Sequence, residues 1–207
     1  MHTVDISKID FTDRSNKFLI NVGVSNRHLH LSEEHLYYLF GEGAQLTPTK
    51  DLTQPGQFAA AETVTLVGPK GTIEKMRVLG PVRAETQVEL AQTDARKVGI
   101  KAPLRNSGDL DGTPGCILIG PKGYLVIDKG VIVAKPHLHL NAEQGAALGV
   151  KDNDYVDFYF KGAKEAALFR VWARVGPKNE MDLHIDTDEA NAFGVGTGSL
   201  ALLVKRD

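Results

Sequence analysis

Apolar and polar residues alternate along most of this chain with the period of two that is typical of β-strands with one buried face. The alternation predicts ten strands, at residues 18–24, 64–67, 72–78, 117–119, 124–127, 131–134, 156–160, 168–175, 183–185 and 200–204. Turns rich in Gly and Pro separate many of them, and helical patterns are few and short. Many short strands with such turns favour β-barrels over a layered α/β fold.

One short motif occurs twice. The sequence His-Leu-His-Leu stands at residues 28–31 and again at 137–140, and a favoured helix N-cap residue follows each copy, Ser32 in the first and Asn141 in the second. Residues two apart on a strand share a face, so each copy presents two imidazoles side by side. This arrangement is typical of metal ligands, and its repetition predicts an internal duplication.

A second pair of related segments, 88–95 and 183–190, follows the two copies. When the glycines that close them, Gly99 and Gly194, are superposed, Glu89 falls opposite His184. The two halves would then offer one ligand set each: His28, His30 and Glu89 in the first, and His137, His139 and His184 in the second. Imidazoles with a carboxylate favour Zn²⁺, and Fe²⁺, Co²⁺ or Mn²⁺ fit less well.

Composition narrows the possible partners and compartments. The 207 residues carry a formal net charge of −2, which gives no electrostatic reason to expect nucleic acid or an anionic membrane surface. No apolar stretch reaches the roughly 20 residues that a membrane helix needs, and no secretory signal is evident, so we expect an intracellular protein. The single cysteine, Cys116, stands in an apolar run, where we predict a buried core thiol.

Several polar residues flank the motifs and are candidates for binding substrate. Arg83 is well suited to bind phosphate or carboxylate through its guanidinium fork. For Lys50 and Arg77, ligand binding and a solvated surface position both stay open. Neither Cys116 nor Ser107 has a neighbouring partner that would make it a convincing nucleophile.

Four spaced motifs carry a family resemblance: Ser-Asn-Arg-His-Leu-His-Leu at 25–31, Gln-Pro-Gly-Gln-Phe-Ala-Ala at 54–60, Leu-Gly-Pro-Val-Arg at 79–83 and Lys-Pro-His-Leu-His at 135–139. Together they resemble the PduL-type phosphate acyltransferases, or phosphate propanoyltransferases, from about residue 17 to 205. The resemblance implies a mainly β fold of two closely packed β-barrels capped by short α-helices. One barrel would combine residues 17–26 and 135–205, the other would span 27–134, and 1–16 would form an N-terminal lead-in.

The resemblance also implies a site and a reaction. The two ligand sets named above would hold two zinc ions per chain, and Arg83 would bind phosphate. The coenzyme A site would be lined by Ser25, Lys50, Arg77, Leu79, His184 and Asn191. The enzyme would interconvert acyl-CoA plus phosphate with acyl phosphate plus CoA, with propanoyl and acetyl as the acyl groups. A homodimer in the cytosol is expected. Members of the family also work with microcompartment proteins, in 1,2-propanediol degradation.

The same residues are also compatible with two other functions. A dimetal acyl-CoA thioesterase would use metal-bound hydroxide in place of phosphate. A non-enzymatic module for ligand sensing would use the histidines as a structural metal clamp. Structural zinc sites normally have four protein ligands, so three ligands per ion favour catalysis.

Overall fold

The computed structural model describes residues 6–204, so residues 1–5 of the predicted lead-in and residue 205 lie outside the described part. The described chain divides into two compact units. Unit 1 contains residues 6–24 and 136–204, and unit 2 contains Ser25–Lys135. None of the helices in the described residues is long and apolar enough to cross a membrane.

Strands dominate both units. They are β1 (Leu19–Ser25), β2 (His28–His30), β3 (Pro48–Asp51), β4 (Phe58–Gly68), β5 (Gly71–Gly80), β6 (Gln87–Glu89), β7 (Leu104–Arg105), β8 (Cys116–Ile119), β9 (Tyr124–Ile127), β10 (Val131–Ala134), β11 (His137–Leu140), β12 (Tyr155–Lys161), β13 (Glu165–Val175), β14 (Asp182–Asp186) and β15 (Leu200–Val204). The helices are α1 (Glu33–Phe40), α2 (Gln92–Val98), α3 (Ala142–Leu148), α4 (Thr187–Phe193) and a 3-10 turn at Ile6–Lys8. The prediction of a mainly β fold with short helices is confirmed.

Unit 1 is a closed six-stranded barrel with the strand order β1-β14-β11-β13-β12-β15. Each strand turns alternate residues inward, as the sequence pattern predicts, and the barrel core includes the fully buried side chains of Leu138, Phe158 and Leu183. Burial of these large apolar side chains stabilises the barrel and fixes the register of its strands.

Unit 2 is a curled, half-barrel sheet in the order β7-β10-β6-β2-β5-β4-β8-β9, with β3 added beside β4. The edge strands are β7, which has only two residues, and β9, which exposes Tyr124 and Val126. The prediction of two barrels therefore holds as a closed barrel in unit 1. In unit 2 it holds as a half-barrel, because β7 and β9 do not pair with each other and the sheet stays open.

The two units share one three-stranded motif. In unit 2 the His-Leu-His strand β2 lies between β5, which is parallel to it, and β6, which is antiparallel. In unit 1 the second copy, β11, lies in the same way between β13 and β14. The strands that carry the candidate ligands thus have the same pairing in both halves of the sequence.

Helices follow these strands at the predicted caps. The Ser32 hydroxyl accepts a hydrogen bond from the backbone of His35, and Asn141 forms a capping box at the start of α3. Gly99 and Gly194, which align the two repeats, end α2 and α4 in the left-handed conformation that favours glycine. The predicted caps and the equivalence of the two closing glycines are confirmed.

Candidate metal centres

The first cluster lies in unit 2, where β2 and β6 place Glu89 directly opposite His28. His28 and His30 share one face of the sheet, and the ligand atoms of the three residues lie within 4.8 Å of one another. His28 Nε2 is 3.5 Å from a Glu89 carboxylate oxygen. His28 Nδ1 donates to the Asn26 carbonyl at 2.7 Å, which fixes the ring. All three cluster residues are buried.

The second cluster lies in unit 1, where β11 and β14 place His184 opposite His137. The ligand atoms of His137, His139 and His184 also lie within 4.8 Å of one another. Their rings pack edge to face, with centroids 4.8 to 5.1 Å apart. His139 is buried and the other two rings are half-buried. The structure therefore brings the six predicted ligands together as two groups of three, one in each unit.

Strand alternation holds both clusters in place. The leucines beside the histidines, Leu29 and Leu138, are fully buried in the cores of their units. Val88 and Leu183, which precede the third residue of each cluster, are buried in the same cores. A shift of one residue in either strand would exchange core and cluster residues, so hydrophobic burial also specifies the cluster geometry.

Burial keeps the inner histidines neutral. Burial, and after it the charge of Arg83, lowers the pKa of His30 to about 3. Burial, followed by the neighbouring His137 and His184, lowers the pKa of His139 to about 2. Both imidazoles are therefore uncharged at neutral pH, and neutral imidazole is the form that binds metal ions.

His28 behaves differently because a carboxylate lies beside it. Burial alone would lower the pKa of His28, but the charge of Glu89, its hydrogen bond to the ring and the bond to the Asn26 carbonyl together outweigh burial and raise that pKa. The first cluster thus favours a positive charge next to Glu89, as a proton or as a metal ion.

The residues present fit a metal ion. Within the described part of the chain, the buried Nδ1 atoms of His30 and His139 make no hydrogen bond. Leaving such a buried polar atom unpaired costs about 1–3 kcal/mol, a cost that coordination would remove. Imidazole nitrogens with a carboxylate oxygen are the donors that Zn²⁺ prefers, and three ligands leave room for a substrate atom.

Arg83 lies close to the first cluster. It is half-buried, and its backbone N–H donates to the Leu31 carbonyl at the end of the first His-Leu-His-Leu motif. Its Nη1 donates to the Ser107 hydroxyl at 3.2 Å. A fixed guanidinium beside a metal-binding cluster is suited to bind an anion such as phosphate.

The other residues predicted to bind coenzyme A are mostly accessible. In unit 2, Ser25 ends β1, Lys50 is exposed on β3, and Arg77 and Leu79 lie on β5. Arg77 Nη1 donates to two carbonyls of β4 at 2.7 and 3.0 Å, which orients its guanidinium. In unit 1, Asn191 is exposed on α4, the helix that follows the His184 strand.

The cysteine takes no part in either cluster. Cys116 is buried in the core of unit 2, and burial raises its pKa to about 12. A thiol with so high a pKa is a poor nucleophile at neutral pH. The prediction of a core thiol is confirmed.

Sequence reasoning missed two polar residues that contact the clusters. His184 Nε2 donates to the buried Asp182 carboxylate at 3.0 Å. In unit 2, the amide of the buried Gln87 donates to Glu89 Oε1. Each lies two residues before the third member of its cluster, so extending the two matched segments by one residue toward the N-terminus would have paired them.

Sequence comparison matches this chain to one family along most of its length. The sequence model of the phosphate propanoyltransferase family matches residues 21–196. The phosphate propanoyltransferase of Thermotoga maritima is 54% identical over 187 residues, which cover 90% of this chain and 89% of the relative. That of Rhodobacter capsulatus is 49% identical over 187 residues, which cover 90% of this chain and 87% of the relative. This chain, with its two repeat-related clusters, therefore belongs to the phosphate propanoyltransferase family of acyltransferase enzymes.

Proposed function

We propose that the protein transfers an acyl group, propanoyl or acetyl, between coenzyme A and phosphate by means of two zinc ions, one in each cluster. The observation that carries the proposal is the repeated set of three ligands, His28, His30 and Glu89 in unit 2 and His137, His139 and His184 in unit 1. Family membership supplies the acyl-CoA and phosphate chemistry. The family name specifies neither zinc nor acetyl-CoA, so both are part of the proposal.

The reaction needs three anions to be stabilised. A phosphate oxygen attacks the thioester carbonyl carbon, negative charge grows on the carbonyl oxygen, and the carbon–sulfur bond breaks to release the CoA thiolate. Bound zinc would supply Lewis acidity toward the carbonyl and the leaving thiolate. The neutral imidazoles of His30 and His139 keep their lone pairs available for the ions without a prior loss of protons.

Arg83 would position phosphate. Its guanidinium can donate two parallel hydrogen bonds to phosphate oxygens and offset their charge, and its contact with Ser107 limits its motion. Holding phosphate next to the thioester lowers the entropic cost of a two-substrate reaction. No covalent acyl-enzyme is required, which agrees with the burial of Cys116.

We propose that coenzyme A is bound by the residues that the resemblance implies: Ser25, Lys50, Arg77, Leu79, His184 and Asn191. The exposure of Lys50 and Asn191 and the fixed guanidinium of Arg77 support this role, because CoA carries several phosphate groups. We also propose the domain bounds 17–26 with 135–205 and 27–134, a division that the two compact units support. The homodimer, the cytosolic location and the microcompartment partners stay predictions from the resemblance alone.

The test is the release of CoA thiol from propanoyl-CoA with and without phosphate, with the acyl product trapped by hydroxylamine. The proposal predicts that release depends on phosphate and that acyl hydroxamate forms in equal amount. Release at the same rate without phosphate would identify a thioesterase and contradict the proposal. No release from protein that holds its metal would favour a sensing or structural role.

A further inference from the structure

We propose that Asp182 and Gln87 are positioning residues, each of which orients the third metal ligand of its own unit. The inference rests on the proposed metal centres and adds one residue to each. Three features support this role: the strand register, the hydrogen bond that each residue makes, and the match between the chemistry of each residue and that of the ligand it contacts.

Strand register places the two residues at equivalent positions. In unit 1, Asp182 is the antiparallel partner of His139, next to the pair formed by His137 and His184. In unit 2, Gln87 is the partner of His30, next to the pair formed by His28 and Glu89. Each three-residue cluster and this added residue therefore form a square, meaning two pairs of partnered residues on two adjacent strands. The added residue has no ligand role in the proposed function.

Asp182 holds the His184 ring. Its carboxylate is buried, with 2% of the residue exposed, and it accepts a hydrogen bond from His184 Nε2 at 3.0 Å. A proton held on Nε2 leaves the lone pair on Nδ1, so this contact selects one tautomer and one ring orientation. The neighbouring strand makes room for the pair, because a Cβ at Gly23 would lie 2.7 Å from the Asp182 carboxylate and 3.0 Å from the His184 ring.

Gln87 holds the Glu89 carboxylate. Its amide nitrogen donates to Glu89 Oε1 and, at 2.8 Å, to the Ser107 hydroxyl. Its amide oxygen accepts from the Gly108 backbone N–H at 2.7 Å. Only 1% of the residue is exposed, so these bonds fix the orientation of the side chain, and the bond to Glu89 fixes one oxygen of that ligand. The same amide thereby joins the cluster to the loop that contacts Arg83.

The third ligand differs between the two units, and the residue that supports it differs to match. An imidazole ligand, which keeps a proton on its second nitrogen, receives a carboxylate acceptor, and a carboxylate ligand receives an amide donor. As a result, each square contains one carboxylate, Glu89 in unit 2 and Asp182 in unit 1. A divalent ion would meet one negative charge at each centre, which balances the two sites although their ligands differ.

The experiment measures zinc release from purified holoprotein to a chromogenic chelator, after the zinc in each sample has been counted. Asp182→Asn keeps the size of the side chain and removes its charge. Asp157→Asn is the matched control, because Asp157 is also buried in unit 1 but accepts from the Arg170 backbone. Gln87→Met removes the amide in unit 2, and Gln92→Met makes the same change on the exposed surface of α2.

We expect wild-type protein and both controls to release two zinc ions slowly. Asp182→Asn should release one of its two ions about 10- to 100-fold faster, the range typical of lost outer contacts to metal ligands. Gln87→Met should accelerate one ion in the same way, and the double variant should accelerate both. The cluster in the other unit of the same chain serves as an internal reference. General destabilisation would accelerate release from both clusters, whereas loss of one contact accelerates release from one.

Wild-type release rates in Asp182→Asn and Gln87→Met, with two zinc ions bound, would overturn this inference and leave the proposed function intact. Fewer than two zinc ions in wild-type protein would overturn the metal centres and this inference together. If one of the two variants fails to fold, the other, which lies in a different unit, decides the question.

Discussion

Replacing His137 with alanine is expected to lower the rate of phosphate-dependent CoA release from propanoyl-CoA by 10- to 100-fold or more. That range is typical of lost outer contacts, and the substitution removes an inner ligand of the second cluster, so the effect should be at least as large. His137 is only half-buried, while the adjacent Leu138 carries the core packing, so the barrel should stay folded. Steady-state rates together with a thermal melt measure both parts of the prediction.

His35→Ala is the control for the loss of an imidazole. His35 contacts Thr86 through Nδ1 at 2.7 Å and belongs to neither cluster, so its replacement should leave the bound metal unchanged. Near-normal activity of His137→Ala in metal-depleted buffer would contradict the assignment of the second cluster as a metal centre.

Replacing Arg83 with alanine is expected to lower kcat/KM for phosphate by roughly 10- to 150-fold. That range corresponds to the loss of charged hydrogen bonds worth about 1.5–3 kcal/mol, at 1.36 kcal/mol for each factor of ten. The KM for propanoyl-CoA should change little, because Arg83 is proposed to contact phosphate and not CoA. Initial rates over a range of phosphate concentrations, at saturating propanoyl-CoA, measure this effect.

Two further variants separate charge from geometry. Arg83→Lys keeps the charge but loses the fork, so its kcat/KM for phosphate should lie between those of wild type and Arg83→Ala. Arg96→Ala removes an exposed arginine of α2 in the same unit and should behave as wild type. An unchanged dependence on phosphate in Arg83→Ala would rule out the phosphate role of this residue.

Much of this architecture can be read from alternation and repetition. The ten predicted strands all lie within observed strands or differ by one residue, because a strand with one buried face must alternate. The grouping of Glu89 with His28 and of His184 with His137 follows from superposing the two closing glycines. It agrees with the register in which each third residue faces the first histidine of its motif.

Other features depend on contacts that one-dimensional patterns do not carry. The strand β3 is exposed along its whole length and β7 has only two residues, so neither has an apolar period to detect. The open sheet of unit 2 depends on which strands pair at its edges. Asp182 and Gln87 resemble ordinary polar strand residues until the pairing places them opposite His139 and His30.

Counting zinc by elemental analysis in wild-type protein and in two double variants tests the central claim, that each unit holds one catalytic metal ion. We expect two zinc ions per wild-type chain. We expect one in His28→Ala/His30→Ala and one in His137→Ala/His139→Ala, with phosphate-dependent CoA release lost in both. Two zinc ions retained in either double variant, or full activity in a chain that binds none, would show that the clusters are not catalytic metal centres.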